Sequence, residues 1–202
     1  MSSTKQKQFL KLAEHAGKCV ICPDLADKQA VLSEMNGNID PRVMFIAEAP
    51  GRQGADRTRK PFWGDKSGEN FQVLLDSINL KREDIFITNS VLCSPRKPSG
   101  ANRKPKKSEI NNCASFLEKT LEVINPRVIA TLGIVALEAL KAIEYHELKL
   151  KNDVAKLVDW NSVKLLPLYH PSPQVFAAHR RVGQQLKDYE VLRKAIKTAW
   201  QK

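Results

Sequence analysis

The segment RVIATLGIVALEALKAI, residues 127–143, decides the fold class. Its first six residues are nearly all apolar and rich in β-branched side chains, which is typical of a strand buried on both faces of a parallel sheet. Gly133 ends this run, and residues 134–143 carry apolar side chains at helical spacing. A strand, a glycine turn and a helix form the repeating unit of an α/β fold.

Three further strand candidates are each followed by glycine, proline or a polar cluster: RVMFIA (42–47), IFITNSVL (85–92) and VKLLPLY (163–169). Helical patterns cover residues 69–78 and 108–124, and a basic helix closes the chain. This alternation predicts a three-layer α/β/α domain with a central four-stranded, mainly parallel sheet. Pro167 predicts that the last strand lies at an edge or carries a bulge.

The chain has 202 residues, 42% of them hydrophobic and 27% charged, which is enough apolar material for a folded core. It contains no repeat and no Gly- or Ser-rich linker. We therefore interpret residues 1–202 as one domain, with residues 1–40 as an N-terminal arm. Because no apolar run reaches the roughly 20 residues that cross a bilayer, and the first residues lack a signal peptide's apolar region, we expect a cytoplasmic protein without a membrane partner.

Basic side chains dominate the charge, since 33 Lys and Arg against 22 Asp and Glu give a net charge of +11. Such a charge attracts nucleic acid, although solubility alone also explains it. Residues 94–107, SPRKPSGANRKPKK, form a basic loop with six cations, no acid and three prolines. Because this loop leaves the end of a strand, where α/β proteins bind ligands, we favour contact with phosphates over a solvated loop.

Four cysteines are too few for a disulfide framework. Cys19 and Cys22 form a C-x-x-C pair in the N-terminal arm, while Cys93 and Cys113 lie in mid-chain. Four thiolates fit either tetrahedral zinc or a [4Fe–4S] cluster, and the spacing leaves both open, together with a redox dithiol and plain buried thiols. A metal at this position would be structural, joining the arm to the basic loop.

Polar side chains lie at the ends of the predicted strands: Glu48 and His170 follow the first and the last strand, and Asn89 lies near the end of the second. Taken singly, these residues fit a helix cap, a backbone hydrogen bond and a packed histidine. However, the carboxyl ends of parallel strands meet at one rim, where ligands bind. We therefore expect a carboxylate, an amide and an imidazole to converge on one site.

These residues resemble a known family. AEAPGRQGADRTRKPFWGDKSGENF (47–71), the TNSVLC segment (88–93), Cys113 and YHPSP (169–173) are similar to the uracil-DNA glycosylase superfamily, closest to its iron–sulfur families 4 and 5. EAPG (48–51) and Pro61-Phe62 are similar to family 4, whereas Gly54, Arg57-Thr58 and GDKSG (64–68) are similar to family 5. The resemblance extends in order from residue 19 to residue 181. It implies the uracil-DNA glycosylase fold, a [4Fe–4S] cluster on the four cysteines with zinc as the alternative, and action as a monomer.

The resemblance also implies the partner and the roles of the pocket residues. The partner is DNA that contains uracil or another deaminated base, which must leave the duplex to be reached. Phe62 is expected to stack on the base. Asn89 accepts from uracil N3–H and donates to O4, a pattern that cytosine reverses. His170 is expected to donate to O2 as negative charge develops on the leaving base.

A carboxylate near the sugar is expected to orient the attacking water. Asp65 is the first choice, because the GDKSG match to family 5 needs no gap, and Glu48 and Asp56 follow. Family 4 usually carries an acidic pair after its first motif, where this chain has Gly54 and Ala55.

Ser172 and either Arg180 or Arg181 are expected to contact DNA phosphates. These assignments predict a monofunctional, nucleoid-associated base-excision-repair enzyme that hydrolyses the N-glycosidic bond of uracil and leaves an abasic site. The alternative is a non-catalytic, zinc-stabilised nucleic-acid-binding module, which leaves the three strand-end residues unexplained. An electron-transfer iron–sulfur protein, as a third reading, leaves the basic loop unexplained.

Overall fold

One five-stranded sheet organises the protein in a computed structural model, which describes residues 3–25 and 27–201. The strands are β1 (Val43–Ala47), β2 (Ile85–Asn89), β3 (Val128–Leu132), β4 (Val158–Trp160) and β5 (Val163–Leu168). Their order across the sheet is β2-β1-β3-β5-β4. All neighbouring pairs are parallel except β4 and β5. The α/β prediction is thereby confirmed, with one strand more than predicted.

The additional strand, β4, lies in the segment 141–161, which matches no motif. It has only three residues, too few for a period-2 pattern to be recognised in the sequence. Pairing with β5 places Trp160 opposite Val163. The buried Trp160 indole donates from Nε1 to Glu144 O at 3.0 Å, so tertiary contacts hold this strand.

The prediction that Pro167 marks an edge strand or a bulge is wrong, because β5 lies between β3 and β4. Pro167 pairs with Thr131 of β3 in an uninterrupted register. Its carbonyl, which faces the β4 side, accepts from Ala155 N–H at 2.9 Å. Since β4 pairs with β5 only as far as Leu165, no strand faces the missing N–H of Pro167.

Eight α-helices complete the described chain: α1 (Thr4–Gly17), α2 (Ala55–Thr58), α3 (Lys66–Asp76), α4 (Lys107–Ile124), α5 (Ile134–Ala139), α6 (Leu150–Asp153), α7 (Pro173–Ala178) and α8 (Val182–Trp200). Helices α1, α4 and α5 pack on one face of the sheet, and α3 and α8 on the other. The helix predicted over 134–143 continues beyond Ala139 as a 3₁₀ turn, Leu140–Ala142. No helix in the described ranges has the length and apolar character needed to cross a membrane.

The strand register places four strand ends on one rim. Ala47 pairs with Asn89, and Leu132 pairs with Leu168. All five residues of β1, β2 and β3 are buried, as expected for strands covered on both faces. Side chains that follow β1, β2, β3 and β5 are therefore presented at one edge of the sheet.

Candidate active site

A cavity of about 790 Å³ opens at this rim. Six of the residues singled out from the sequence line it: Glu48, Phe62, Asp65, Asn89, His170 and Ser172. The expectation that a carboxylate, an amide and an imidazole converge on one site is therefore met by the geometry.

Asn89 ends β2 and is only 5% exposed. Its Nδ2 is buried and has no hydrogen-bond partner in the described part of the chain. A buried donor without a partner costs about 1–3 kcal/mol, and an acceptor on a bound ligand would remove that cost. The amide is thus available to a guest in the cavity.

Phe62 provides an aromatic wall next to this amide. Its ring stacks on Phe71 with centroids 4.6 Å apart, and it lies 5.4 Å from the His170 ring. The Phe62 backbone has φ of +50°, in the left-handed region, which costs a non-glycine residue about 1–3 kcal/mol. The surrounding structure must therefore hold this conformation.

His170 lies two residues after the end of β5 and lines the cavity. Burial lowers the pKa of His170 to about 4, so the imidazole is neutral at physiological pH. The next residue is tied to α3, since Asn70 Nδ2 donates to Pro171 O at 2.9 Å. A neutral ring with one N–H is an uncharged donor held at a fixed place.

Asp65 caps α3, because Gly68 N–H donates to its Oδ1 at 2.9 Å. Its second oxygen, Oδ2, lies only 2.2 Å from the place where a Cβ on Gly54 would stand. Any side chain at position 54, including the acid usual in family 4, therefore excludes the observed position of Asp65. The Asp65 carboxylate therefore occupies space that only glycine at position 54 leaves free.

The two other carboxylate candidates differ in placement. Glu48 is half-buried at the cavity, where burial raises the pKa of Glu48 against the opposing effect of Lys104. Asp56 does not line the cavity. It pairs with Arg96 and lies 3.8 Å from Arg59, so it ties the basic loop to α2. Asp56 is therefore the wrong choice for a water-orienting residue.

The basic loop carries less free charge than its sequence predicts. Arg96 pairs with Asp56, Lys106 pairs with Asp24, and the Arg103 guanidinium binds both oxygens of Glu109, at 2.6 and 2.8 Å. These acids come from elsewhere in the chain. In the described ranges no carboxylate pairs with Lys97, Lys104 or Lys107, and Lys104 also lines the cavity.

Among the residues predicted to contact phosphate, Ser172 and Arg181 fit better than Arg180. Ser172 Oγ accepts from Val175 N–H at the start of α7, which leaves its hydrogen free to donate. Arg180 is bound to the buried Asp188 at 2.5 and 2.8 Å, so its guanidinium is already engaged. Arg181 is exposed, and its phosphate contact stays a prediction.

The four cysteines are brought together beside the N-terminal arm, and all are free thiols. Burial and repulsion from the other three thiols raise the pKa of Cys93 to about 12, which places all four within electrostatic reach of one another. In the described residues no three His, Cys, Asp or Glu side chains stand in single-ion coordination geometry. The donor chemistry fits a thiolate-ligated metal group, and that assignment stays a prediction.

Two cavity residues had no signal in the sequence. Leu150 and Lys151 of α6 lie in the segment 141–161 and line the cavity. Tertiary packing against β5 brings this segment to the cavity, and no local pattern of residues in the sequence predicts that packing.

Comparison with known proteins agrees with this geometry. The family model described as uracil DNA glycosylase superfamily matches residues 34–198. A type-4 uracil-DNA glycosylase of Thermotoga maritima is 33% identical over 171 residues, 84% of each chain, and a type-4 enzyme of Archaeoglobus fulgidus is 34% identical over 150 residues, 72% of each. A type-5 uracil-DNA glycosylase of Pyrobaculum aerophilum is 32% identical over 177 residues, 81% of this chain and 74% of that one.

This chain belongs to the uracil-DNA glycosylase superfamily. The relatives include both type 4 and type 5, in keeping with the mixed motifs of residues 47–71. They are named as enzymes, and nothing in these comparisons favours the non-catalytic zinc module.

Proposed function

We propose that this protein is a monofunctional uracil-DNA glycosylase of base-excision repair, which hydrolyses the bond between uracil and deoxyribose and leaves an abasic site. One observation carries the proposal. Phe62 and Asp65, Asn89, and His170 come from three distant stretches of the chain and line one cavity of about 790 Å³. Pockets of this size accept small ligands such as a nucleobase.

Recognition begins when the uracil nucleotide leaves the duplex, because its glycosidic bond is inaccessible inside the base stack. The base then stacks on Phe62, whose ring is backed by Phe71 at 4.6 Å. Asn89 Nδ2 donates to uracil O4, and its oxygen accepts from N3–H. Cytosine presents the reverse pattern and would leave the buried amide unpaired. A site of this kind discriminates by about 10⁴.

Bond cleavage places negative charge on the departing base and positive charge on the sugar. His170 donates to uracil O2, where the negative charge grows, and its neutral state costs no charge desolvation in the pocket. Asp65 stabilises the sugar cation and orients the attacking water through the oxygen that α3 does not use. Glu48 remains a second acid in the cavity.

Contacts with DNA surround this cavity. Lys104 at the cavity, Ser172 at α7 and the exposed Arg181 supply donors for phosphates on either side of the flipped nucleotide. Together with the net charge of +11, they attract the duplex and offset the cost of unstacking. Because the proposed substrate is genomic DNA, we expect a cytoplasmic protein associated with the nucleoid. We also expect a monomer, because a single chain forms the whole cavity.

We further propose that Cys19, Cys22, Cys93 and Cys113 bind a [4Fe–4S] cluster, with zinc as the alternative. The proximity of four free thiols supports this assignment. The group would have a structural role and join the N-terminal arm to the start of the basic loop. Purified protein should be brown and contain iron and sulfide in equal amounts, and Cys113→Ser should lose both. Colourless protein with zinc would establish the alternative.

The activity is tested with end-labelled duplex DNA that contains one uracil opposite guanine, incubated with excess protein and then treated with alkali. We expect strand breakage at the uracil and none in a matched duplex with cytosine there. His170→Ala should lower the excision rate by about 10²–10³ while DNA binding persists. His15→Ala, on α1, is the matched control and should excise normally. Absence of breakage with wild-type protein would refute the proposed function.

A further inference from the structure

Arg82 begins a short 3₁₀ turn, Arg82–Asp84, just before β2, and its side chain reaches back to the loop that carries Phe62. Its Nη1 donates to Pro61 O at 2.9 Å and its Nη2 donates to Phe62 O. Its Nε donates to Gln72 Oε1 at 3.3 Å. One guanidinium thus binds two successive carbonyls of this loop and one side chain of α3.

This arginine has no acidic partner in the described part of the chain. Its charge lies against aromatic rings instead, 5.6 Å from the centroid of Phe71 and 5.5 Å from that of Trp63. Phe71 is the ring on which Phe62 stacks. A charged group is buried against carbonyls and rings only where several well-aligned hydrogen bonds compensate its desolvation.

The same loop also rests on the first turn of α3. A Cβ on Gly68 would stand 2.5 Å from Phe62 O and 2.7 Å from Phe62 C, so only glycine permits this approach. The peptide after Phe62 is therefore held by the hydrogen bond from Arg82 and by close packing on Gly68. This arrangement explains how Phe62 keeps a φ of +50°, a conformation that is unfavourable for a non-glycine residue unless the surrounding structure holds it.

We infer that Arg82 is a positioning residue that holds Phe62 in the conformation that stacks on the flipped base. The inference rests on the proposed function and adds to it a residue that does not line the cavity. Lysine carries the same charge but one donor centre, whereas the planar guanidinium binds both carbonyls and Gln72 together. We therefore expect Arg82→Lys to retain part of the excision activity that depends on the position of Phe62, and Arg82→Gln to retain very little of it.

A double-mutant cycle with Phe62→Ala separates positioning from general stability. The rate constant is measured by single-turnover excision of uracil, and kcat and KM are measured separately at steady state. We expect Arg82→Gln to lower kcat/KM about 10- to 100-fold in the wild-type background, as a displacement of about 1 Å does in other sites. In the Phe62→Ala background, Arg82→Gln should lower kcat/KM by no more than about twofold, because the ring that Arg82 positions is absent.

Arg193→Gln serves as the matched control, because Arg193 pairs with Glu190 on the surface of α8 and should leave excision unchanged. If Arg82→Gln does not fold, Arg82→Lys in both backgrounds decides the same question. Equal losses in both backgrounds, or no loss in either, would overturn the inference while the proposed function stands. Wild-type protein that excises no uracil would instead refute the proposed function.

Discussion

Replacing Gly54 by alanine tests which carboxylate serves the reaction. The added Cβ would stand 2.2 Å from Asp65 Oδ2 and 2.8 Å from its Cγ. Ordinary van der Waals contact begins at 3.4 Å, so the carboxylate must retreat by about 1.2 Å. The same movement breaks the bond from Gly68 N–H to Oδ1, which caps α3.

The expected magnitudes follow from these two losses. Loss of a helix N-cap costs about 0.5–2 kcal/mol, which lowers Tm by about 1–8 °C in a chain of this size. A carboxylate displaced by about 1 Å should lower the excision rate about 10²-fold.

Single-turnover excision of uracil, measured well below the Tm of each variant, separates the two effects. Gly17→Ala at the end of α1 is the control, since its Cβ would meet nothing within 4 Å. Asp65→Asn removes the charge directly, and adding Gly54→Ala to it should cause little further loss of rate. Two results would refute the role given to Asp65. One is a wild-type excision rate in Gly54→Ala, and the other is a double variant whose loss of rate equals the product of the two single losses.

Four further predictions follow from single contacts. Asn89→Leu should raise the free energy of unfolding by about 1–3 kcal/mol, because it removes a buried amide nitrogen without a partner, and should abolish excision; a variant that is less stable or still active would contradict this. His170 should stay neutral above pH 5 in an NMR titration. Because its pKa of about 4 lies below the unfolded value of 6.5, its contribution to stability should be complete above pH 6.5 and decline as the pH falls towards 4. Asp188→Asn should destabilise the protein by about 3 kcal/mol in urea unfolding, since it leaves Arg180 unpaired. Lys104→Ala should reduce the salt dependence of DNA binding by about one ion, whereas Lys106→Ala, which removes a cation already paired with Asp24, should change it less.

The rim of the site was predictable because it depends on topology alone. Consecutive apolar runs followed by helices predict parallel strands, and parallel strands bring their carboxyl ends together. Glu48 and His170 directly follow such strands and Asn89 lies near the end of one, so their convergence could be expected without a structure. Asp65 required the resemblance, because it lies in a loop and its position depends on contact with Gly54.

Features that depend on partners distant in sequence were missed or misplaced. Arg180 reads as a free cation, and only folding shows that Asp188 neutralises it. Arg82 binds backbone carbonyls about twenty residues away, which leave no trace in residue type. Pro167 suggested an edge strand because proline cannot donate a hydrogen bond to a neighbouring strand. That reasoning assumes a neighbour along the whole of β5, whereas the pairing of β5 with β4 stops at Leu165, two residues before Pro167.

Release of free uracil is the measurement that bears most directly on the central claim. Uracil-containing duplex is incubated with the protein, free base is quantified by mass spectrometry, and a parallel sample is treated with borohydride. The account predicts one uracil per abasic site, an unbroken strand before alkali, no protein–DNA adduct, and a rate that falls together in the Asn89→Leu and His170→Ala variants. Absence of free uracil, or a trapped covalent adduct, would contradict it.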